Sequence, residues 1–237
     1  MVKGNSTAAK VAWGGRDVIV VSIALLCIFI LSVIAFSALT NNERMASLGS
    51  VFITYVVTLV LPVLWIRKRY GIGKERLGLR KGKWPLKISI LIGLISGFLY
   101  MLLEQYIEQR IFGGKGASLN GPGGIRLLGD IASSFSLVGA LFHLLVSVAE
   151  ESFFRGFLYG YARSVIGVTW ALICQATLFG ILHWGYLGPT VFLKVSYVCV
   201  GLLLGILYER SDSVIPGVAC HWVMGITAVA FGGIPLP

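Results

Sequence analysis

The residues best suited to chemistry are ionisable side chains that lie inside apolar segments. Glu150, Glu151 and Arg155 occur together in one apolar run. His183 ends the next run, and His221 lies in the last. An ionisable group in a membrane-spanning segment costs roughly 2.5 to 3.5 kcal/mol on insertion scales, so such groups are usually kept for function. These five residues are therefore candidates for a buried site.

The two adjacent glutamates are predicted to have different roles. Glu151 and Arg155 are four residues apart with the acid on the amino-terminal side, which is the better orientation for an ion pair on a helix. Because a lone charge is costly in lipid, Glu151 is expected to be neutralised by Arg155 and to be structural. Glu150 points about 100° away around the helix and has no cation on its own face. It is therefore the candidate general base.

Counting residues places the candidate groups at similar depths. Glu150 and His183 each lie ~22 to 27 Å from the turn predicted between their helices, at ~1.5 Å per residue. His221 lies ~15 Å from the next predicted turn, and the three side chains can therefore converge on one buried chamber. His143, two turns before Glu150, is interpreted as part of the packing or of a polar network.

The elements that must hold these residues are membrane-spanning helices. The chain has 237 residues, of which 57% are hydrophobic and 13% are charged, whereas a soluble domain is about a quarter charged. Its apolar runs are continuous, which argues against a transmembrane β-barrel. At ~20 residues per crossing, the length allows roughly six to eight spans and no separate soluble domain. We predict an all-α, polytopic transmembrane bundle of about seven spans.

The predicted organisation is a single integral membrane domain over residues 1–237, with a motif-bearing core at about 131–237. Segment 104–112 is predicted to form a short interfacial helix, and segment 113–124, rich in turn residues, a loop. The seven predicted spans cover residues 18–39, 45–66, 87–103, 131–163, 167–183, 189–208 and 214–231.

Positive charge is concentrated in one predicted loop. Residues 67–87 contain nine Lys or Arg and one acid, within a chain of formal net charge +10. A short basic loop between apolar runs is the cytoplasmic signature of the positive-inside rule, and it suits contact with anionic lipid headgroups. Nucleic-acid binding is not expected. We therefore predict a multi-pass protein of the cell membrane with a cytoplasmic amino terminus.

The spacing of the candidate residues resembles the motifs of one family. Residues 150–155 match EExxxR, Phe179 and His183 match FxxxH, and His221 opens a third motif. Together, in this order and on successive apolar helices, these resemble the CAAX prenyl endopeptidase and bacteriocin-processing family (CPBP, also called Abi) of intramembrane glutamate proteases. The resemblance covers about residues 147–225.

The resemblance implies an activity and a substrate class. Glu150 and His183 would activate a water for attack on a peptide carbonyl, and His221 would help to hold the developing oxyanion. Glu151 would pair with Arg155. The substrate would be a prenylated or otherwise hydrophobic peptide that is cleaved near its carboxyl terminus, in contact with membrane lipid. This glutamate mechanism needs no cofactor and no metal.

One position departs from the family pattern. The third motif usually reads His-x-x-x-Asn or Asp, whereas Gly225 stands four residues after His221. Because glycine supplies no hydrogen-bond donor, we expect a weaker oxyanion site and a slow protease. Gly225→Asn is then expected to raise the rate, unless the glycine marks a close packing contact.

Three other interpretations remain open. A noncatalytic membrane protein of the same fold, serving in immunity or as an interaction partner, is favoured by Gly225. A proton-coupled transporter would use Glu150 and the histidines as a proton relay. A zinc site of Glu150, His183 and His221 is a minority alternative, since two histidines and a carboxylate can bind catalytic zinc but the HExxH spacing is absent.

Overall fold

A computed structural model describes residues 11–40, 42–112, 137–183 and 191–231. Within these ranges every regular element is helical, as predicted. Four helical stretches are long and apolar enough to cross a membrane. The chain is thus an all-helical protein of membrane type, while the count of about seven spans stays a prediction. The predicted loop at 113–124 lies outside the described residues.

The helices follow the predicted order with shifted ends. Segment 104–112 is not a separate interfacial helix, and that prediction is wrong: α3 continues through it because no proline or glycine interrupts residues 98–112. The elements are α1 (Gly15–Leu39), α2 (Glu43–Tyr70), a 3₁₀ helix (Lys74–Leu77), α3 (Leu86–Phe112), α4 (Leu137–Glu151), a π-helix (Ser152–Tyr159), α5 (Gly160–His183), α6 (Val191–Ser211) and α7 (Ile215–Phe231).

A sharp reversal at Gly167 divides the longest helical stretch. Gly167 has φ 78° and ψ 170°, a conformation that glycine adopts readily and other residues rarely do. Across the reversal, the rings of Phe154 and Phe179 lie 5.2 Å apart. Glu150 Oε2 and His183 Nε2 are separated by 3.8 Å. Both pairs are centred on the break itself, so the segments before and after it form the predicted antiparallel hairpin.

Immediately after the two glutamates, α4 passes into the π-helix without interruption. π-helical turns are rare and occur mostly at functional sites. No feature of the sequence predicted this segment. It brings Gly156 against the backbone of Leu77, where a side chain on Gly156 would collide with the Leu77 carbonyl oxygen. The neighbour of Gly156 is therefore the basic segment 67–87.

The basic segment 67–87 lies at one end of the bundle, which we call the basic end. Leu77 is fully buried there. The Lys83 amide donates to the Ser211 carbonyl at 2.7 Å, and Arg80 pairs with Asp212 at 2.5 Å. The basic segment and the turn between α6 and α7 therefore share one end of the molecule, as the charge pattern predicts.

Helix α7, which carries His221, is packed against α3, α4 and α6. Gly93 and Gly97 of α3 face the α7 backbone so closely that a Cβ at either position would collide with a carbonyl oxygen of α7. On the next pair of helices, a Cβ at Gly201 of α6 would lie 2.8 Å from Cα of Ala176 in α5. Small residues thus allow close helix approach, and they hold α7 within the bundle.

Candidate active site

The structure brings Glu150, His183 and His221 together, as the depth argument predicted. Glu150 Oε2 lies 3.8 Å from His183 Nε2 and 3.9 Å from His221 Nε2. The side chains of the glutamate and the two histidines are 9%, 19% and 17% exposed. Three separate helices, α4, α5 and α7, therefore supply one carboxylate and two imidazoles to a single buried cluster.

The orientation of His183 is set by its own helix. Its Nδ1 lies 2.7 Å from the carbonyl oxygen of Phe179, one turn earlier. Because a carbonyl oxygen can only accept, Nδ1 carries a proton, and Nε2 is the nitrogen that faces Glu150. The rings of Phe179 and Tyr197 lie 4.3 Å and 4.9 Å from the imidazole. The FxxxH spacing thus fixes both the tautomer and the plane of the ring.

Glu151 and Arg155 form the predicted ion pair, with both side chains fully buried and 2.9 Å between Oε1 and Nη1. Arg155 also donates to the Gly201 carbonyl at 3.3 Å, and its guanidinium lies 4.6 Å from the centre of the Phe179 ring. Such a placement is a cation–π contact. Phe179 therefore supports both His183 and Arg155, which explains its place in the motif.

One contact of the ion pair was not predicted. Glu151 Oε1 also lies 3.3 Å from Nδ1 of His221. A carboxylate accepts, so Nδ1 of His221 carries a proton, and its Nε2 is the nitrogen that faces Glu150. The carboxylate of Glu151 thus orients the second imidazole while it neutralises Arg155.

Sequence reasoning missed Tyr55, whose hydroxyl donates to Glu150 Oε1 at 2.9 Å. Tyr55 lies in α2, and its ring contacts that of Phe142 edge to face. A tyrosine in an apolar helix is unremarkable, and no motif links residues 95 positions apart. The contact holds one oxygen of Glu150, so that the other oxygen faces the histidines.

Gly217 is a second residue that the sequence analysis missed, and it lies against the carboxylate of Glu151. A Cβ at Gly217 would lie 2.7 Å from Glu151 Oε2. That contact is closer than real Cβ atoms show, and Glu151 is held by Arg155. We predict that Gly217→Ala displaces the carboxylate and lowers the free energy of unfolding by about 1 to 3 kcal/mol, the usual cost of overpacking. Thermal unfolding in detergent measures this loss of stability. Gly14→Ala is the control, because a Cβ at Gly14 would have no other atom within 4 Å.

Gly225 is a close packing contact, and its neighbour is His143. A Cβ at Gly225 would lie 2.9 Å from Nδ1 of His143. The contact is with a side chain and not with a neighbouring backbone as expected, and an asparagine at position 225 would collide with the imidazole. The Nε2 atom of His143 is buried and has no hydrogen-bond partner among the described residues.

No group of three His, Cys, Asp or Glu side chains in the described ranges is arranged to hold a metal ion. The zinc alternative of Glu150, His183 and His221 therefore has no preformed ligand set in this part of the chain. The cluster can perform proton transfer and hydrogen bonding.

The fold and the cluster define a helical protein of membrane type with a carboxylate and two imidazoles inside its bundle. Residues 132–227 match the family model described as type II CAAX prenyl endopeptidase Rce1-like. This match covers 96 of the 237 residues, and it supports the resemblance to the CAAX prenyl endopeptidase (CPBP) family, a peptidase family, that was found in the motifs. The match spans every predicted site residue. Comparison with curated proteins and with solved structures gave no match.

Proposed function

We propose that the protein is an intramembrane endopeptidase that cleaves a prenylated or otherwise hydrophobic peptide near its carboxyl terminus. The observation that carries this proposal is the position of Glu150 Oε2, shared between Nε2 of His183 and Nε2 of His221 at 3.8 Å and 3.9 Å. A carboxylate with two imidazoles inside an apolar bundle is suited to activate water where bulk water is scarce.

In the first step Glu150 acts as the general base. Glu150 Oε2 and Nε2 of His183 are both acceptors, so they cannot form a hydrogen bond with each other. Their separation of 3.8 Å suits one water that bridges them. That water donates one hydrogen to each group. Glu150 takes a proton as the water oxygen forms a bond to the peptide carbonyl carbon, and the carbonyl oxygen becomes an oxyanion.

In the second step His221 stabilises the oxyanion and the peptide bond breaks. A proton on Nε2 of His221 would bring the cluster of Glu150, Glu151, Arg155 and His221 to zero net charge, the favourable state in a low dielectric. The resulting N–H donates to the oxyanion. Glu150 then delivers its proton to the leaving nitrogen and the carbon–nitrogen bond breaks, which releases an amine. The second proton of the water passes to Nε2 of His183, so that the other product leaves as a carboxylate.

The test of this proposal is cleavage of a fluorogenic farnesylated peptide by the purified protein in liposomes. We expect a single cut near the carboxyl terminus, located by mass spectrometry of the products. A peptide of the same sequence without the prenyl group shows how much the prenyl group contributes to substrate specificity. Proton flux across the liposomes without any cleavage would instead indicate a transporter. The absence of both flux and cleavage would indicate a noncatalytic protein.

The orientation in the membrane is a further proposal, based on the basic end. Asp17 near the start of α1 pairs with Arg69 near the end of α2 at 3.2 Å, so the connection between these helices lies at the opposite end. We expect a membrane-impermeant maleimide to label Lys74→Cys only from the cytoplasmic side and Asn42→Cys only from the other. The unsubstituted protein provides the background of its own cysteines. Labelling with the sides exchanged would reverse the proposed orientation.

Metal dependence separates the glutamate mechanism from the zinc alternative. Because Glu150 supplies the base, we expect cleavage to survive dialysis against a strong chelator, and metal analysis to find far less than one zinc per chain. A matched sample with added zinc controls for inhibition by free metal. Activity that is lost with the chelator and restored by zinc would favour the zinc site.

A further inference from the structure

The interface between α4 and α7 holds one more imidazole than the proposed mechanism uses. The two helices run antiparallel along it: Glu151 faces Gly217, Glu150 faces His221, and His143 faces Gly225. His143 is seven residues before Glu150, which is ~10.5 Å along the helix axis. It therefore lies along the same interface as the cluster, on the side away from the basic end.

His143 has a polar atom that the protein leaves unsatisfied. Its Nε2 is buried without a partner among the described residues, although buried polar atoms are almost always hydrogen-bonded. The ring stands where a side chain at position 225 would otherwise lie, and only glycine leaves room for it. The neighbouring residue Gly225 supplies no hydrogen-bond partner for this buried nitrogen. The nitrogen is therefore suited to bind a ligand that carries an acceptor.

We propose that His143 is a substrate-binding residue whose Nε2–H donates to a backbone carbonyl of the bound peptide. This inference rests on the proposed proteolysis. An extended peptide advances ~3.3 Å per residue, so ~10.5 Å corresponds to about three residues from the bond at Glu150. His143 thus fixes how the bound peptide lies along α4, within about three residues of the scissile bond.

Two nearly isosteric substitutions isolate the hydrogen bond. His143→Gln keeps an N–H donor near the position of Nε2, whereas His143→Leu has a similar volume and none. We expect His143→Leu to lower kcat/KM for the farnesylated peptide by about tenfold to a hundredfold, because a buried carbonyl loses its partner. His143→Gln should lose less than about fivefold. Thermal unfolding of both variants shows whether they are equally well folded.

Moving the donor to the other helix provides a second test. Gly225→Asn alone should lower kcat/KM, because its side chain collides with the His143 ring. In His143→Ala/Gly225→Asn the amide has the space that the ring occupied. We expect this double variant to recover at least about fivefold over His143→Ala, and such non-additivity is the sign of two side chains that share one site.

The outcomes distinguish this inference from the proposed function. If the Leu and Gln variants are equally active or equally impaired, and the double variant recovers nothing, His143 is a packing residue and the inference is overturned. In that case cleavage that still depends on Glu150 leaves the proposed function intact. If the unsubstituted protein shows no Glu150-dependent cleavage, the proposed function fails and this inference fails with it.

Discussion

Glu150→Gln is expected to abolish cleavage while the protein stays folded. Glutamine keeps the size of the side chain, and its carbonyl can still accept from the Tyr55 hydroxyl, so the packing around position 150 is preserved. It cannot accept a proton from water. Loss of a general base typically costs about a hundredfold to ten-thousandfold in kcat. The measurement is the initial rate with the farnesylated peptide, beside the thermal unfolding midpoint of the same preparation.

The matched control for this variant is Glu104→Gln. Glu104 is another glutamate on an apolar helix, in α3, and it accepts a hydrogen bond from the Ser196 hydroxyl. It has no place in the proposed mechanism, and we expect its substitution to leave kcat within about threefold of the unsubstituted protein. Equal rates for Glu150→Gln and the unsubstituted protein would rule out Glu150 as the base.

Much of the site could be predicted because ionisable side chains in apolar helices cost free energy and are usually kept for function. Charged groups in apolar helices are few in this chain, and helical geometry then limits which of them can meet. The spacing of Glu151 and Arg155 is a local property of one helix, so their ion pair was also predictable. The reversal that aligns Glu150 with His183 follows from residue counting, and Gly167 supplies the backbone conformation for it.

The contacts that could not be predicted join helices that are distant in sequence. Tyr55 reaches Glu150 across 95 positions, and nothing in the residues around it distinguishes it from other tyrosines. The π-helix after Glu151 depends on how the turn packs against the basic loop, which residue types alone do not encode. The closeness of His143 to Gly225 depends on the register of α4 against α7, and such a register is fixed only by the whole bundle.

The second large effect is expected at Glu151, and it is an effect on stability. Glu151→Gln leaves the guanidinium of Arg155 fully buried without its counter-charge. Breaking a buried ion pair on one side typically costs about 3 to 5 kcal/mol, which is a large part of the stability of most proteins. The measurement is the free energy of unfolding in mixed micelles, followed by circular dichroism. The same variant leaves only a neutral amide oxygen as the acceptor for Nδ1 of His221.

Two variants show whether this loss comes from the uncompensated charge. Asp212→Asn breaks the Arg80–Asp212 pair, in which each side chain is about one third exposed, and it should cost less than about 1 kcal/mol. In Glu151→Gln/Arg155→Met the stranded charge is removed as well, so more than half of the lost stability should return, because apolar replacements of buried ion pairs are often neutral. A well-folded but inactive Glu151→Gln, together with an active Glu150→Gln, would instead exchange the roles of the two glutamates.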